Sequence, residues 1–202
     1  MNRAVAVVSA GLRSPSTTRL LADDLGEQVR TALGGVDIVH VDLREHAHAL
    51  ADAMLTGFPT GALRDAIASV TSADGLVVVT PTFSASYSGL FKMFFDALEP
   101  DALSGMPVLL AATGGTERHS LMIEHSMRPL FAYLGALPVR TGVFAATSDF
   151  GGEGAARLAE RIRRAVGELA DAVRRSQRRP PAGSAYDTVI PFSQLLAGKE
   201  RP

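Results

Sequence analysis

A loop rich in hydroxyl groups follows the first apolar segment of the chain and precedes the first helical pattern. It spans residues 9–18 and contains one glycine, one arginine and five serines or threonines. A helix that starts after such a loop presents free backbone N–H groups and the positive end of its dipole, and both attract anions. Together these groups predict a phosphate site in which Arg13 supplies the positive charge.

The spacing of this loop matches neither common nucleotide fingerprint. The loop lacks the Gly-Lys-Ser/Thr ending of a P-loop, and it has one glycine where a dinucleotide-binding loop has three. Hydroxyl groups and Arg13 must then replace backbone donors, which favours a terminal phosphate monoester over a buried pyrophosphate. Ser14, Ser16 or Thr17 could equally serve as a plain helix cap, so for this loop alone both interpretations stay open.

Two later loops carry features that suit a flat ring. Residues 80–89 read Thr-Pro-Thr-Phe-Ser-Ala-Ser-Tyr-Ser-Gly, and residues 112–118 read Ala-Thr-Gly-Gly-Thr-Glu-Arg. Proline and aromatic side chains can pack on a ring, while the paired glycines let the backbone approach its polar edge without a Cβ atom in the way. A flavin requires both kinds of contact. Taken singly, each loop is also compatible with ordinary packing or an ordinary turn.

Apolar segments and helical patterns alternate along the chain. This alternation is typical of βαβ units around a parallel sheet, and it predicts one α/β domain with a doubly wound, flavodoxin-like sheet of five strands. The predicted strands are residues 3–8, 36–43, 75–80, 107–112 and 139–145, and the predicted helices are residues 17–33, 60–72, 89–98, 118–134 and 154–175.

The three unusual loops follow the first, third and fourth predicted strands. In a doubly wound sheet, ligands bind beyond the carboxyl ends of the strands where the strand order reverses, so these loops should be neighbours. The stretch after the second strand contains His46 and His48, whose spacing does not suit one helix face. We therefore expect a solvated loop there and no metal site.

The composition excludes several classes of protein. The chain has 202 residues, a formal net charge of −1 and no cysteine. The near-neutral balance gives no general attraction to nucleic acid or to an anionic membrane, and the lack of cysteine removes disulfides and thiolate nucleophiles. Because the first apolar run is too short for a signal peptide and no run is long enough to span a membrane, a cytoplasmic protein is expected.

A change in composition marks the end of the predicted domain. The last helical pattern ends near Arg175, and Ser-Gln-Arg-Arg-Pro-Pro-Ala-Gly-Ser follows. Such a stretch is typical of a flexible or polyproline-like linker. The sequence therefore predicts a domain over residues 1–175 and a flexible C-terminal tail over residues 176–202.

Taken together, the loops resemble those of the NADPH-dependent FMN reductases, especially the branch that supplies reduced flavin to two-component monooxygenases. The resemblance implies a flavodoxin-like fold, bound FMN, NADPH or NADH as electron donor, and a homodimer or homotetramer. The matching residues are Ser9, Arg13, Ser16 and Thr17, the run over residues 80–92, and Ala-Thr-Gly-Gly-Thr at residues 112–116 followed by His119.

The resemblance also implies which residues hold the cofactor. No catalytic side chain is expected, since flavin and nicotinamide carry out the hydride chemistry themselves. Ser9, Arg13, Ser16 and Thr17 would bind the phosphate; Pro81, Thr82, Phe83 and Ser84 would line the ring; Thr113, Gly114 and Gly115 would meet its far edge; and His119 would contact the flavin or the nicotinamide nucleotide.

Two other functions remain as alternatives at this point. One is a flavoprotein that retains FMN and reduces quinones, azo compounds or metal oxyanions. The other is a flavodoxin-type electron carrier that does not oxidise NADPH. Flavodoxins have a strongly acidic face and a threonine-rich phosphate loop, whereas this chain is nearly neutral and has Arg13 in that loop.

Overall fold

A parallel sheet forms the centre of the protein in the computed structural model, which describes residues 3–151 and 153–178. The strands are β1 (Ala4–Ser9), β2 (Asp37–Asp42), β3 (Gly75–Phe83), β4 (Ser86–Tyr87), β5 (Pro107–Gly114), β6 (Leu137–Pro138) and β7 (Val143–Ala146). Neighbouring strands follow the order β2-β1-β3-β5, with β6 and β7 both paired with β5, and β4 folded back antiparallel on β3. The predicted doubly wound fold is confirmed, and the short strands β4 and β6 are additions to the five that were predicted.

Helices cover both faces of this sheet. Alternate residues of β1 point to opposite sides, so Val5 and Val7 belong to one buried cluster while Ala6 and Val8 belong to the other. Burial on both faces explains why the strands read as nearly continuous apolar runs. The helices are α1 (Thr17–Ala32), α2 (Ala47–Thr56), α3 (Gly61–Ser72), α4 (Gly89–Asp96), α5 (Arg128–Tyr133) and α6 (Glu153–Arg175).

The solvated loop expected after β2 is wrong. A 3-10 helix over Leu43–His46 leads directly into α2. Leu43, Leu50 and Ala53 are buried in the core, and their spacing of seven and three residues is that of one helix face. These apolar contacts stabilise the segment as a helix, and the spacing of its histidines does not prevent this.

The single helix expected over residues 118–134 is also wrong. A 3-10 helix (Glu117–His119) and a π-helical turn (Ile123–Met127) precede α5. The N–H group of Arg128 reaches the carbonyl of Ile123, five residues back. Pro129 follows, and proline offers no N–H group and needs space for its ring, so the wider turn before it accommodates a residue that a regular helix does not.

The last predicted strand is shorter than expected. Residues 139–145 were predicted, and β7 covers Val143–Ala146 with the two-residue β6 before it.

Among the described residues, no helix combines the length and apolarity needed to cross a bilayer.

Arg178 ties the chain beyond α6 to the domain. Its guanidinium donates hydrogen bonds of 2.7 to 3.1 Å to the backbone carbonyls of Thr71, Ala73, Ala102 and Ser104. The first two carbonyls lie at the end of α3, where a helix leaves carbonyls without partners. Burial lowers the pKa of Arg178 from its usual value.

The tail predicted from residue 176 begins with three described residues, and one of them is Arg178. The remainder, residues 179–202, lies outside the part of the chain that the structure describes. The division into a domain over residues 1–175 and a tail therefore stays a prediction.

We expect Arg178→Ala to lower the free energy of unfolding by about 2 to 3 kcal/mol, because one substitution leaves four backbone carbonyls without their charged donor. Arg175→Ala is the matched control, since Arg175 is exposed and its side chain has no hydrogen bond or ion pair among the described residues. That control should change stability by less than about 0.5 kcal/mol. Urea denaturation of both variants measures the difference, and equal stabilities would contradict an anchoring role.

Candidate functional site

Strand register brings the three loops together at one edge of the sheet. Ser9, the buried last residue of β1, pairs with Val79 of β3, and Pro81 of β3 pairs with Thr113 of β5. Since β1, β3 and β5 are consecutive neighbours, the loops after them are adjacent at the carboxyl edge. The predicted adjacency of the three loops is confirmed.

The first loop combines a helix cap with free donors. Ser16 is the N-cap of α1, and its Oγ accepts a hydrogen bond from the Arg19 N–H at 3.2 Å. The N–H groups of Thr17 and Thr18 have no acceptor within the described parts of the chain. Gly11 lies so close to the Ser16 hydroxyl that a Cβ atom at position 11 would collide with it. The backbone at Gly11 therefore packs directly against Ser16, and the N–H groups of Thr17 and Thr18 are available to an anion.

Only one of the two arginines near this loop has an unneutralised charge. Arg19 donates to Asp23 at 2.7 Å and to Asp42 at 3.1 Å, and the hydrogen bond to Asp23 raises the pKa of Arg19. Arg13 is exposed, and no carboxylate in the described residues pairs with it. The guanidinium available to a phosphate is therefore that of Arg13.

The second loop is a hairpin whose base is fixed by buried hydroxyl groups. The N–H group of Ser88 donates to Thr80 Oγ1 at 3.1 Å, and this hydroxyl donates to the carbonyl of Pro81 at 3.0 Å. The Ser88 hydroxyl in turn caps α4. Thr80 and Ser88 are almost fully buried, so the hairpin projects from the sheet edge on a rigid base.

The tip of this hairpin is a two-residue turn between Phe83 and Ser86. Its residues, Ser84 and Ala85, have φ angles of 47° and 64°. Two positive φ angles suit the twist of a hairpin, but they are normally adopted by glycine or asparagine, and other residues pay about 1 kcal/mol or more for each. Such strain is typical of functional segments, and the strained tip directly follows the exposed Phe83.

A buried hydroxyl without a partner lies where the second and third loops meet. Thr82 Oγ1 is shielded from solvent and has no hydrogen-bond partner among the described residues. A Cβ atom placed at Gly114 would lie 3.5 Å from this oxygen and 2.8 Å from the Phe144 ring. A Cβ atom at Gly115 would meet no atom within 4 Å. Because an unpaired buried hydroxyl is costly, this position fits a ligand with a polar edge.

Thr113 faces away from the open side of the third loop. Its side chain is buried, and its hydroxyl lies 2.8 Å from the hydroxyl of Thr18 in the first turn of α1. The contribution of Thr113 to a bound ring is therefore restricted to its backbone. Sequence reasoning missed this pairing because the two residues are 95 positions apart.

His119 ends the 3-10 helix that follows the third loop. This short helix is capped by Thr116, whose hydroxyl accepts from the Arg118 N–H at 3.5 Å. Both His119 and Arg118 are exposed, and no side-chain hydrogen bond of either occurs within the described ranges. His119 is placed next to the third loop as predicted, and the structure does not test which ligand it contacts.

Three buried residues support the site without having been predicted as part of it: Thr80, Ser88 and Phe144. The two hydroxyl residues stood in the sequence beside a helical pattern, so a cap at Ser88 could have been inferred. Phe144 gave no such signal, because its contact with Gly114 depends on the pairing of β5 with β7.

The fold and these loops define a flavodoxin-like α/β protein whose sheet edge suits a ligand with a phosphate at one end and a polar ring edge at the other. The family model for NADPH-dependent FMN reductases matches residues 3–151. The chain belongs to this family. It is an oxidoreductase that uses FMN and a nicotinamide nucleotide, as the resemblance of the loops implied.

Individual proteins are similar to this chain in sequence or in fold. The chain is 40% identical over 146 residues to the NADH-dependent FMN reductase SfnF of Pseudomonas putida, covering 72% of this chain and 78% of that protein. An oxidoreductase from Corynebacterium diphtheriae is similar in structure, with a TM-score of 0.84, 47% identity, and coverage of 87% of this chain and 99% of the other. A flavodoxin-like, WrbA-like protein from Agrobacterium tumefaciens shares the fold at a TM-score of 0.61 and 18% identity, covering 86% and 98% of the two chains.

Proposed function

We propose that the three loops hold FMN, that the enzyme accepts electrons from NADPH or NADH there, and that reduced FMN then leaves for a separate flavin-dependent monooxygenase. The observation that carries this proposal is that two sets of polar groups without partners lie at the same carboxyl edge of the sheet. The unpaired Arg13 and free α1 N–H groups suit a phosphate, and the unpartnered Thr82 hydroxyl suits the ring. The cysteine-free composition agrees with work in the cytoplasm.

Each loop has a distinct part in binding. Arg13, Ser16 and Thr17 would hold the phosphate by charge and by hydrogen bonds at the start of α1. Ser9 underlies this loop, and the hairpin residues would form one wall of the ring site. The hairpin residues are Pro81, Thr82, Phe83 and Ser84, and Gly114 and Gly115 lie beside them.

The protein acts by positioning. When bound, FMN supplies the redox chemistry by taking up a hydride from the nicotinamide. The rigid base of the hairpin and the close backbone at Gly115 would hold the two rings in contact and exclude water from one face. None of these tasks requires a side chain that gives or takes a proton.

Release of the reduced flavin is supported by the openness of the site. Arg13, Thr17 and the Phe83 ring are all exposed at the carboxyl edge, so the described residues form no lid over it. An open site favours exchange of the ligand with a partner over permanent retention. The resemblance of the loops to reductases that supply monooxygenases points the same way.

Large apolar side chains at the surface support a homodimer or homotetramer. Leu121, Tyr133 and Leu137 are 62%, 88% and 60% exposed. Exposed apolar groups of this size are common at subunit interfaces. Light scattering of the full chain measures the oligomeric state, and a monomer at micromolar concentration would contradict this part of the proposal.

One anaerobic titration tests the function. The purified protein is titrated with FMN, and then NADPH or NADH is added while flavin absorbance is followed. We expect bleaching with at least one donor, followed by passage of most of the reduced flavin through an ultrafiltration membrane. Bleaching with retained flavin would favour the quinone, azo or metal-oxyanion reductase, and binding without bleaching would favour the electron carrier.

We expect His119→Ala to leave the single-turnover rate of bleaching within about threefold of wild type at saturating FMN and donor. Hydride transfer between contacting rings depends on proximity, which this exposed side chain does not set. Stopped-flow absorbance measures the rate. A 1000-fold loss, about 4 kcal/mol in the chemical step, would show that His119 is a catalytic residue.

A further inference from the structure

A buried pair of hydroxyl groups joins the two ends of the proposed FMN site. Thr18 Oγ1 and Thr113 Oγ1 lie 2.8 Å apart, and the two residues are only 3% and 4% exposed. Thr18 is the second residue of α1, and Thr113 is the next-to-last residue of β5. Helix α1 follows β1 and packs across β3. The hydrogen bond therefore links the first turn of α1 to β5, which lies two strands away from β1 in the sheet.

The neighbours of the pair give it a functional position. Thr17, with its free N–H group, precedes Thr18 in the first loop, and Gly114 follows Thr113 in the third loop. One hydroxyl contact therefore directly joins the segment with the donors for a phosphate to the segment whose backbone lies at the ring edge. Both hydroxyls are shielded from solvent, so water cannot easily replace either partner.

We propose that Thr18 and Thr113 are positioning residues that fix the distance between the two ends of the site, so that FMN is held at its phosphate and at its ring at the same time. This inference rests on the proposed function. Two linked contacts strengthen each other only when their spacing matches the ligand, because the second then forms at high effective concentration. A fixed spacing also lowers the ordering cost of binding.

The pair predicts a specific pattern of ligand preference. Riboflavin has the ring but no phosphate, so it needs one end of the site and does not depend on the spacing. FMN needs both ends. Loss of the hydroxyl contact should therefore reduce the preference for FMN over riboflavin, and the affinity for riboflavin should change little.

A double-mutant cycle tests this pattern. Thr18→Val, Thr113→Val and the double variant each keep the shape of the side chains and remove the hydroxyl contact. The ratio of the riboflavin Kd to the FMN Kd is measured by quenching of flavin fluorescence, together with Tm in the absence of flavin. We expect each single variant to lower this ratio about tenfold and the double variant to lower it no further. Thr18→Ser, which keeps the hydroxyl, should retain most of the preference.

Thr141→Val is the matched control. Its hydroxyl donates to Glu168 at 2.7 Å two residues before the start of β7, outside the three loops. The control should lower Tm and leave the ratio of the two Kd values unchanged. A fall in the ratio for Thr141→Val would mean that general loosening, rather than the pair, sets the preference.

Three results would overturn the inference. An unchanged ratio in Thr113→Val beside a lowered ratio in Thr18→Val would mean that Thr18 acts without Thr113, as in a direct contact with the phosphate. Multiplying losses in the double variant would mean that the hydroxyls act separately. Loss of preference in Thr18→Ser would assign the effect to the methyl group. If a valine variant does not fold, Thr18→Cys weakens the same bond and should give an intermediate ratio. Failure of wild type to bind FMN would overturn the proposed function itself.

Discussion

Arg13→Ala is expected to weaken FMN binding by roughly 10- to 150-fold and to leave riboflavin binding within about twofold of wild type. The guanidinium of Arg13 has no carboxylate partner among the described residues, so its charge is available to the phosphate that riboflavin lacks. A charge-assisted hydrogen bond contributes about 1.5 to 3 kcal/mol, which corresponds to that range of affinity. Fluorescence titration with each flavin measures the two affinities.

Arg19→Ala provides the control for a general loss of positive charge. Arg19 lies in the first turn of α1, next to the first loop, but Asp23 and Asp42 already neutralise it. Its removal should change the preference for FMN over riboflavin by less than about threefold, as expected for a partly exposed ion pair. If Arg13→Ala weakened both flavins equally, the first loop would not be the phosphate site.

The arrangement of the sheet could be predicted from the sequence because its signals are local. Each long strand is an apolar run between turn residues, and each main helix repeats at helical spacing. The rule that ligands bind at the carboxyl edge then predicts that the three loops lie together. The register of Pro81 with Thr113 agrees with that placement.

Two predictions were wrong where something other than local periodicity determines the structure. Leu43 holds the 3-10 helix against the core, and Leu50 and Ala53 hold α2, although the histidines of this stretch suggested a loop. The break in the helix before α5 depends on Pro129, which the apolar spacing alone does not register.

The residues of the candidate site could be predicted from the sequence, but the buried contacts that hold its loops in place could not. The loop residues stand out by composition, but the hydroxyl pair of Thr18 and Thr113 joins positions that are distant in the sequence. The same is true of Phe144, which approaches Gly114 only after β5 and β7 have paired. Long-range packing therefore determines how firmly the loops are held, and the local patterns of the sequence do not show which distant residues will meet.

Gly115→Val should weaken FMN and riboflavin equally, by roughly 10- to 100-fold, with little change in stability. A Cβ atom at position 115 meets no protein atom within 4 Å and the residue is exposed, so the folded protein can accept the side chain. Its added methyl groups would occupy the space through which the backbone approaches the ring edge, and one or two hydrogen bonds there are worth about 1.4 to 2.8 kcal/mol. Because both flavins have this ring, the preference between them should not change, in contrast to Arg13→Ala.

Gly114→Val is expected to behave differently from its neighbour. Its Cβ atom would lie 2.8 Å from the buried Phe144 ring, so the variant should lose about 1 to 3 kcal/mol of stability whether or not flavin is present. Gly167→Val, at an open position on α6, controls for the general effect of replacing a glycine. Urea denaturation without flavin measures the loss of stability, and titration with both flavins measures the loss of affinity.

Normal flavin affinity in a stable Gly115→Val protein would remove the third loop from the ring site. A Cβ atom at position 115 meets no protein atom within 4 Å in the described structure, so the new side chain could only obstruct a ligand.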